Sequence, residues 1–214
     1  MVDWGVYLVT QASLSAGRTT TAIVEEAIAG GVGVVQLREK DRSARERYEL
    51  GRRLRTLTRE AGVTFVVNDR VDIAQAVDAD GVHLGDSDLP VPVARGLLGE
   101  DAVVGRSVSF VEDAREAERA GADYLGVGAV YATGSKDDIE DDEYAIGTDR
   151  LAEIATAVDI PVVGIGGITA DNAADVAAAG ADGVAVITAI TGAEDPQTAT
   201  RELGAAVERG HERR

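Results

Sequence analysis

Short apolar runs rich in Val, Ile and Leu alternate with longer amphipathic segments along the whole chain of 214 residues. The amphipathic segments, such as 43–60 and 112–120, carry apolar residues at helical spacing and predict helices. The apolar runs predict eight β-strands, at roughly 6–10, 33–38, 64–68, 81–84, 103–107, 123–128, 161–165 and 183–187. Continuous apolar strands that alternate with helices are typical of a parallel sheet covered by helices.

Eight strand–helix units are the number that closes a barrel. The fold class expected is therefore α/β, as a single (βα)8 TIM barrel over residues 1–214 with a short charged tail from about 208. No proline- or serine-rich linker divides the chain. An open doubly wound sheet is the alternative, because sequence alone does not show closure.

An internal echo supports repeated units. The pair Ala-Gly recurs at 61–62, 120–121 and 179–180, each time where a predicted helix gives way to a strand. Glycine suits the left-handed position that follows the end of a helix. We expect these glycines to be structural.

The charge balance limits the partners. The chain has 38 acidic and 21 basic residues, a net charge of −17 and a pI near 4.4. Nucleic acid and anionic membranes are repelled by such a surface, so neither is an expected partner. Acid excess, scarce lysine and only two Phe favour adaptation to high salt, where charge repulsion is screened. An ordinary acidic cytosolic protein is the alternative.

Residue types and segments that the sequence lacks also limit the possible functions. The chain has no cysteine, which excludes disulfides, thiolate metal sites and a cysteine nucleophile. Neither a signal peptide nor a run of about 20 apolar residues is evident. A cytoplasmic protein is expected, and the sequence leaves a homo-oligomer open.

Polar residues gather at the ends of the predicted strands. In a barrel these ends meet on one rim, where the active sites of this fold lie. The residues, in chain order, are Gln36, Arg38, Lys40, Asn68, Asp69, Asp86, Asp88, Ser107, Thr133, Ser135, Lys136, Gly166, Gly167 and Thr188.

Lysine is conspicuously rare on this chain. Only two of the 21 basic residues are lysine, Lys40 and Lys136, and each follows a predicted strand. A compact ammonium retained against this bias indicates a point charge that holds phosphate.

Two aspartates predict a metal site. Asp69 and Asp88 follow adjacent predicted strands and would share one Mg²⁺ per subunit, since magnesium commonly takes one or two carboxylates plus substrate phosphate. The alternative is that each aspartate caps the helix that follows it.

The segments Gly-Ile-Gly-Gly-Ile-Thr at 164–169 and Val-Ile-Thr-Ala-Ile at 186–190 predict a second phosphate site. Loops after strands seven and eight of such barrels often bind phosphate through backbone N–H groups. Close packing of strand on helix is the alternative role of the glycines. We expect His83 to be a hydrogen-bonded barrel residue, His211 to have no chemical role, and the acidic run 137–143 to be a solvated loop or, less simply, a lid.

An ordered set of motifs extends this interpretation. The set resembles the thiamine-phosphate synthase family over roughly residues 6–190. The motifs are Gln-Leu-Arg-Glu-Lys at 36–40, Val-Asn-Asp-Arg-Val-Asp at 67–72, Asp-Gly-Val-His-Leu-Gly-Asp-Ser-Asp at 80–88, Gly-Arg-Ser at 105–107, Asp-Tyr-Leu-Gly-Val-Gly-Ala-Val at 123–130, Thr-Gly-Ser-Lys at 133–136, Val-Gly-Ile-Gly-Gly-Ile at 163–168 and Asp-Gly-Val-Ala-Val-Ile-Thr at 182–188.

The resemblance implies a transferase that joins two small phosphorylated substrates and releases pyrophosphate. It implies that Asp69 and Asp88 bind magnesium. The pyrimidine diphosphate would be held by Gln36, Leu37, Arg38, Glu39, Lys40, Asn68, Ser107 and Lys136, of which Arg38, Lys40, Ser107 and Lys136 would act in catalysis. The thiazole phosphate would be held by Thr133, Gly134, Ser135, Gly167, Ile187 and Thr188.

Three alternatives remain beside this interpretation. A thiazole tautomerase would share the barrel but needs a proton-transfer residue and no diphosphate–metal cluster. A sugar-phosphate isomerase needs a general base near the substrate carbon, and none is obvious. A non-catalytic thiamine-phosphate sensor would gain nothing from the aspartate pair.

Overall fold

A computed structural model describes residues 1–133 and 145–214. Eight parallel strands close into a barrel in chain order. They are β1 Val6–Val9, β2 Val34–Leu37, β3 Thr64–Asn68, β4 Gly81–Leu84, β5 Val103–Val108, β6 Tyr124–Gly128, β7 Val162–Ile165 and β8 Gly183–Val186. The (βα)8 expectation is confirmed, with every predicted strand present within one or two residues.

Helices cover the outside of the barrel. They are α1 Thr20–Ala29, α2 Ala44–Ala61, α3 Val71–Ala76, α4 Val91–Leu98, α5 Val111–Arg119, α6 Gly147–Ala157, α7 Ala173–Ala178, α8 Thr188–Thr191 and α9 Pro196–His211, with a 3-10 turn at Ala12–Leu14. Within the two described ranges, no helix is both long and apolar enough to cross a membrane.

The pairing of the first strand with the last closes the sheet. Val6, Tyr7 and Leu8 pair in parallel with Val184, Ala185 and Val186. This pairing excludes the open doubly wound sheet.

Alternation along the strands divides the apolar residues into two cores. Leu8, Val35 and Val67 face outward and pack beneath the helices. The alternate residues point into the barrel and form a smaller core of Tyr7, Val9, Val34, Val66, Tyr124, Val163, Ala185 and Ile187. Because side chains alternate with a period of two, one strand can serve both cores.

The repeated glycines occupy the expected helix ends. Gly62, Gly121 and Gly180 follow α2, α5 and α7 with φ of 71°, 89° and 120°. These values lie in the region where a Cβ is disfavoured, so the structural interpretation of the echo is confirmed.

Two aspartates that directly precede strands have a structural role that was not predicted from the sequence. Asp123 follows the second echo and its Oδ2 accepts the Val104 N–H at 2.7 Å and an N–H of Arg95 at 2.7 Å. Asp80 does the same for the Phe65 N–H, with Arg55 as its partner. The aspartates before β4 and β6 thus each anchor the start of the preceding strand and hold an arginine.

The C-terminal segment differs from the expected tail. Helix α9 continues to His211, with Val207 and Gly210 buried against the barrel layer. The guanidinium of Arg214 donates to the carbonyls of Ala177 and Ala181. The segment from 208 onward is therefore mostly helical and held against the fold by Gly210 and Arg214, while Glu208, Arg209, Glu212 and Arg213 are exposed.

Candidate active site

A cavity of about 420 Å³ opens at the carboxyl ends of the strands. Most of the described candidate site residues line it, which confirms that the strand ends converge on one rim. They are Gln36, Arg38, Lys40, Asn68, Asp69, Ser107, Thr133, Gly167, Ile187 and Thr188. Gly134, Ser135, Lys136 and the run 137–143 lie outside the described residues.

Two residues of the 36–40 motif face away from this cavity. Leu37 belongs to the core under the helices. The Glu39 carboxylate is buried and accepts the Ala12 N–H at 2.9 Å and the Thr20 hydroxyl at 3.0 Å. The side chains of Leu37 and Glu39 therefore do not join the cavity lining, because alternate residues of β2 point to opposite faces.

The cationic side of the cavity lies at the ends of β2 and β3. Arg38 is buried, and its guanidinium donates to Gln11 Oε1 at 2.9 Å. The Lys40 ammonium lies 3.5 Å from Asp69 Oδ2. A buried guanidinium beside an ammonium suits an anionic group that carries several oxygens.

The Asp69 and Asp88 carboxyls lie close to one another. Burial raises the pKa of Asp69, the neighbouring Asp88 carboxyl raises it further, and Lys40 opposes both effects. Asp69 also has a left-handed backbone, with φ of 62°, and its N–H donates to the His83 carbonyl at 2.8 Å. A cation placed between the carboxyls would relieve their repulsion.

The helix-cap alternative for these aspartates is wrong. No side chain caps α3 or α4. Asp88 Oδ2 instead accepts the Gly85 N–H at 2.6 Å and closes the loop after β4. In the part of the chain that is described, no group of three or more His, Asp or Glu has metal-binding geometry. Two carboxylates fit magnesium, which fills its remaining positions with water and phosphate oxygens.

The glycine-rich loop after β7 packs against the loop after β6. A Cβ on Gly166 would lie 2.5 Å from the Ala129 Cβ, and one on Gly167 would lie 2.7 Å from the Ala132 carbonyl oxygen. Gly164 has the alternative role, close packing of strand on helix, since a Cβ added there would lie 2.6 Å from the Val176 side chain on α7. One glycine of the motif therefore permits strand–helix packing, and the other two bring backbone to the cavity wall.

The floor of the cavity is polar. Ser107 Oγ lies 2.9 Å from His83 Nε2, and His83 Nδ1 lies 2.9 Å from the Tyr124 hydroxyl. The Tyr124 and Tyr7 hydroxyls are 2.8 Å apart, and Gln36 Nε2 donates to Tyr7 at 2.7 Å. His83 is thus a hydrogen-bonded barrel residue, as expected, and it also faces the cavity.

Tyr7 and Tyr124 lie within apolar strands, and their place in the polar floor was not predicted from the sequence. One signal was available: a tyrosine hydroxyl in a central strand needs a partner.

A closed (βα)8 barrel with cations, paired carboxylates and glycine loops on its carboxyl rim is typical of barrel proteins that bind phosphorylated ligands. The family model described as thiamine monophosphate synthase matches residues 6–190. The chain belongs to the thiamine monophosphate synthase family, and the expected transferase class is confirmed.

Individual relatives agree with this assignment. A thiamine-phosphate synthase from Haloarcula marismortui is 77% identical over 98% of this chain and 100% of its own length. One from Natronomonas pharaonis is 65% identical over 96% of each chain. The solved structure of a thiamine phosphate pyrophosphorylase from Pyrococcus furiosus has a TM-score of 0.88 and 45% identity, and the match covers 98% of both chains.

Proposed function

We propose that the chain couples 4-amino-2-methyl-5-(diphosphooxymethyl)pyrimidine with a thiazole phosphate to give thiamine phosphate and pyrophosphate. One observation carries the proposal: a single cavity has two walls of different chemistry. Arg38, Lys40 and Asp69 line it at β2 and β3, whereas Gly167 and Thr188 line it at β7 and β8. In the closed eight-stranded barrel β3 and β7 lie four strands apart and face each other, so two phosphorylated substrates would meet in the cavity between the walls.

The β2–β3 wall would hold the diphosphate. Arg38 and Lys40 would contact its oxygens, and Lys136 would add a third cation. Asp69 and Asp88 would hold a Mg²⁺ ion. When bound there, the ion would supply positive charge that offsets the charge developing on the leaving pyrophosphate.

The β7–β8 wall would hold the thiazole phosphate through Gly167 and the N–H groups near Thr188. In the reaction the bond between the methylene carbon and the diphosphate oxygen breaks, and pyrophosphate leaves with the electron pair. The aminopyrimidine ring stabilises the resulting cation, and the thiazole nitrogen forms the new carbon–nitrogen bond. The chain therefore needs no nucleophile of its own and contributes mainly position and charge.

The alternatives fit less well. A tautomerase would have no use for Lys40, Asp69 and Asp88 together, and the relatives compared above are named for synthesis of thiamine phosphate. A sensor would not need a site that stabilises a leaving pyrophosphate.

The test is an assay of the purified chain with both substrates and Mg²⁺. Pyrophosphate and thiamine phosphate should appear in equal amounts, and omission of either substrate should abolish both. Release of pyrophosphate without thiamine phosphate would indicate a hydrolase instead. Absence of both products would overturn the proposal.

A further inference from the structure

Five polar side chains form one continuous hydrogen-bonded chain across the interior of the barrel. In spatial order they are Gln36, Tyr7, Tyr124, His83 and Ser107, with successive contacts of 2.7, 2.8, 2.9 and 2.9 Å. The two ends are residues proposed to touch the pyrimidine substrate. The three middle residues have no role in the proposed reaction.

The contacts favour one direction for the hydrogens. Gln36 Nε2 can only donate, so the Tyr7 hydroxyl accepts from it. Tyr7 is almost fully buried, and its own hydrogen finds an acceptor in Tyr124. Tyr124 then donates to His83 Nδ1, so that the neutral imidazole carries its proton on Nε2 and donates to Ser107. In the reverse direction Tyr7 would accept twice and leave its hydrogen without a partner in the chain, which is costly in a buried site.

The surrounding backbone is shaped around these rings. A Cβ on Gly105 would lie 2.2 Å from the Tyr124 Cζ, and one on Gly126 would lie 2.9 Å from the His83 Cε1. The Trp4 ring packs on Tyr124 with 4.4 Å between centroids. The proposed reaction does not explain why these two positions are glycine. Both make room for rings of the hydrogen-bonded series, Gly105 for Tyr124 and Gly126 for His83.

We propose that Tyr7, Tyr124 and His83 are positioning residues, which orient the Ser107 hydroxyl so that its hydrogen is donated into the cavity. The substrate atom opposite Ser107 is then an acceptor, such as a nitrogen of a flat heteroaromatic ring. This inference rests on the proposed function in one respect, since the ring is taken to be the pyrimidine. The direction of the hydrogen bonds does not depend on it.

The kinetic test uses Tyr124→Phe and Tyr7→Phe, which remove one hydroxyl and keep the ring. Each should lower kcat by roughly 10²-fold, the cost of a small misplacement in an active site. KM for the thiazole phosphate should not change, because the β7–β8 wall is untouched. The kcat of the double variant should be no lower than that of the less active single variant, because loss of either hydroxyl already interrupts the hydrogen-bonded series.

The matched control is Tyr48→Phe, because Tyr48 is exposed on α2. It should behave as the parent. If Tyr124→Phe matches Tyr48→Phe in kcat, the three residues only fill space and the positioning role is overturned.

A pair of variants at His83 separates the two ends of the imidazole. In His83→Gln the amide nitrogen reaches the Nε2 position and keeps a donor for Ser107. In His83→Asn the amide reaches only the Nδ1 position. His83→Gln should be at least 10-fold more active than His83→Asn, because only the glutamine keeps the Ser107 hydroxyl in position. The opposite order of activity would contradict the proposal.

A spectroscopic test is independent of activity. The chain has only two histidines, His83 and His211, so a long-range ¹H–¹⁵N spectrum contains two imidazoles, and His211→Gln assigns them. At about pH 8, above the ordinary histidine pKa, His83 should carry its proton on Nε2. A proton on Nδ1 would overturn the direction of the chain. If the parent makes no thiamine phosphate, the proposed function fails, whereas this spectrum still decides the inference.

Discussion

The Lys40 ammonium and the Asp69 carboxylate lie 3.5 Å apart at the ends of neighbouring strands, β2 and β3. Lys40 is half-exposed at the rim, whereas Asp69 is more buried. Burial and the Asp88 carboxyl raise the pKa of Asp69, and the ammonium opposes this shift. If the Asp69 and Asp88 carboxylates held a cation, the Asp69 carboxylate would lie between the Lys40 ammonium and the substrate bound to that cation.

Asp69→Asn and Asp88→Asn test the magnesium site. Each should lower turnover by roughly 100-fold or more, because metal stabilisation of a leaving group is worth several kcal/mol. A chelator should reproduce the effect on the parent, and added Mg²⁺ should reverse it. Asp101→Asn, at an exposed turn before β5, is the control. Full activity of the parent after removal of divalent metal would exclude the site.

Lys136→Ala tests the second lysine, which lies outside the described residues. If it offsets charge on the leaving diphosphate, its loss should raise the barrier by roughly 2–4 kcal/mol and weaken substrate binding less. Lys136→Arg should recover little, because a guanidinium does not replace a point charge. Arg45→Lys on the exposed face of α2 should be silent. Parental kcat in Lys136→Arg would show that lysine is incidental there.

Salt should stabilise the chain. Its 38 carboxylates and 21 basic residues leave a net charge of −17, and the resulting repulsion is poorly screened at low ionic strength. The melting temperature should rise as potassium chloride approaches about 1 M, where the Debye length is about 3 Å. Calorimetry across this range measures the effect. A melting temperature that does not change with salt would assign the acidity another origin.

Asp123, which accepts the Val104 N–H at the start of β5, should contribute to stability. Asp123→Ala removes the acceptor of the Val104 N–H, and Val104 is fully buried, so unfolding free energy should fall by about 1–3 kcal/mol. Denaturant titration measures this change. Asp175→Ala is the control because Asp175 forms an exposed pair with Arg213, a contact worth at most about 1 kcal/mol. Equal losses would show that the buried N–H adds nothing to the ion pair.

Sequence patterns predicted the strands well because burial of a parallel strand on both faces leaves a continuous apolar run. They also located the cavity wall, since Gln36, Arg38 and Lys40 follow one strand at a period of two. The same period separates Leu37 and Glu39 from that wall. When residues 36–40 are treated as one five-residue motif, this division between cavity residues and residues that face away is not visible.

The polar floor of the cavity was not predictable in the same way. Tyr7 and Tyr124 lie 117 residues apart and look like core residues in their own strands. Their hydroxyls meet only because β1 and β6 face one another across a closed barrel. The anchoring role of Asp123 was hidden for the same reason, because its partner Val104 belongs to another strand.

The sequence by itself determined the number and order of strand–helix units, the rim that carries polar residues and the family of the chain. These properties depend on local periodicity and on short motifs. Only the tertiary structure decided that the sheet closes, that Asp69 and Asp88 lie side by side, and that Gln36 and Ser107 are joined through Tyr7, Tyr124 and His83. Such contacts depend on the registers of neighbouring strands and on which strands face each other, and no segment of the chain encodes these alone.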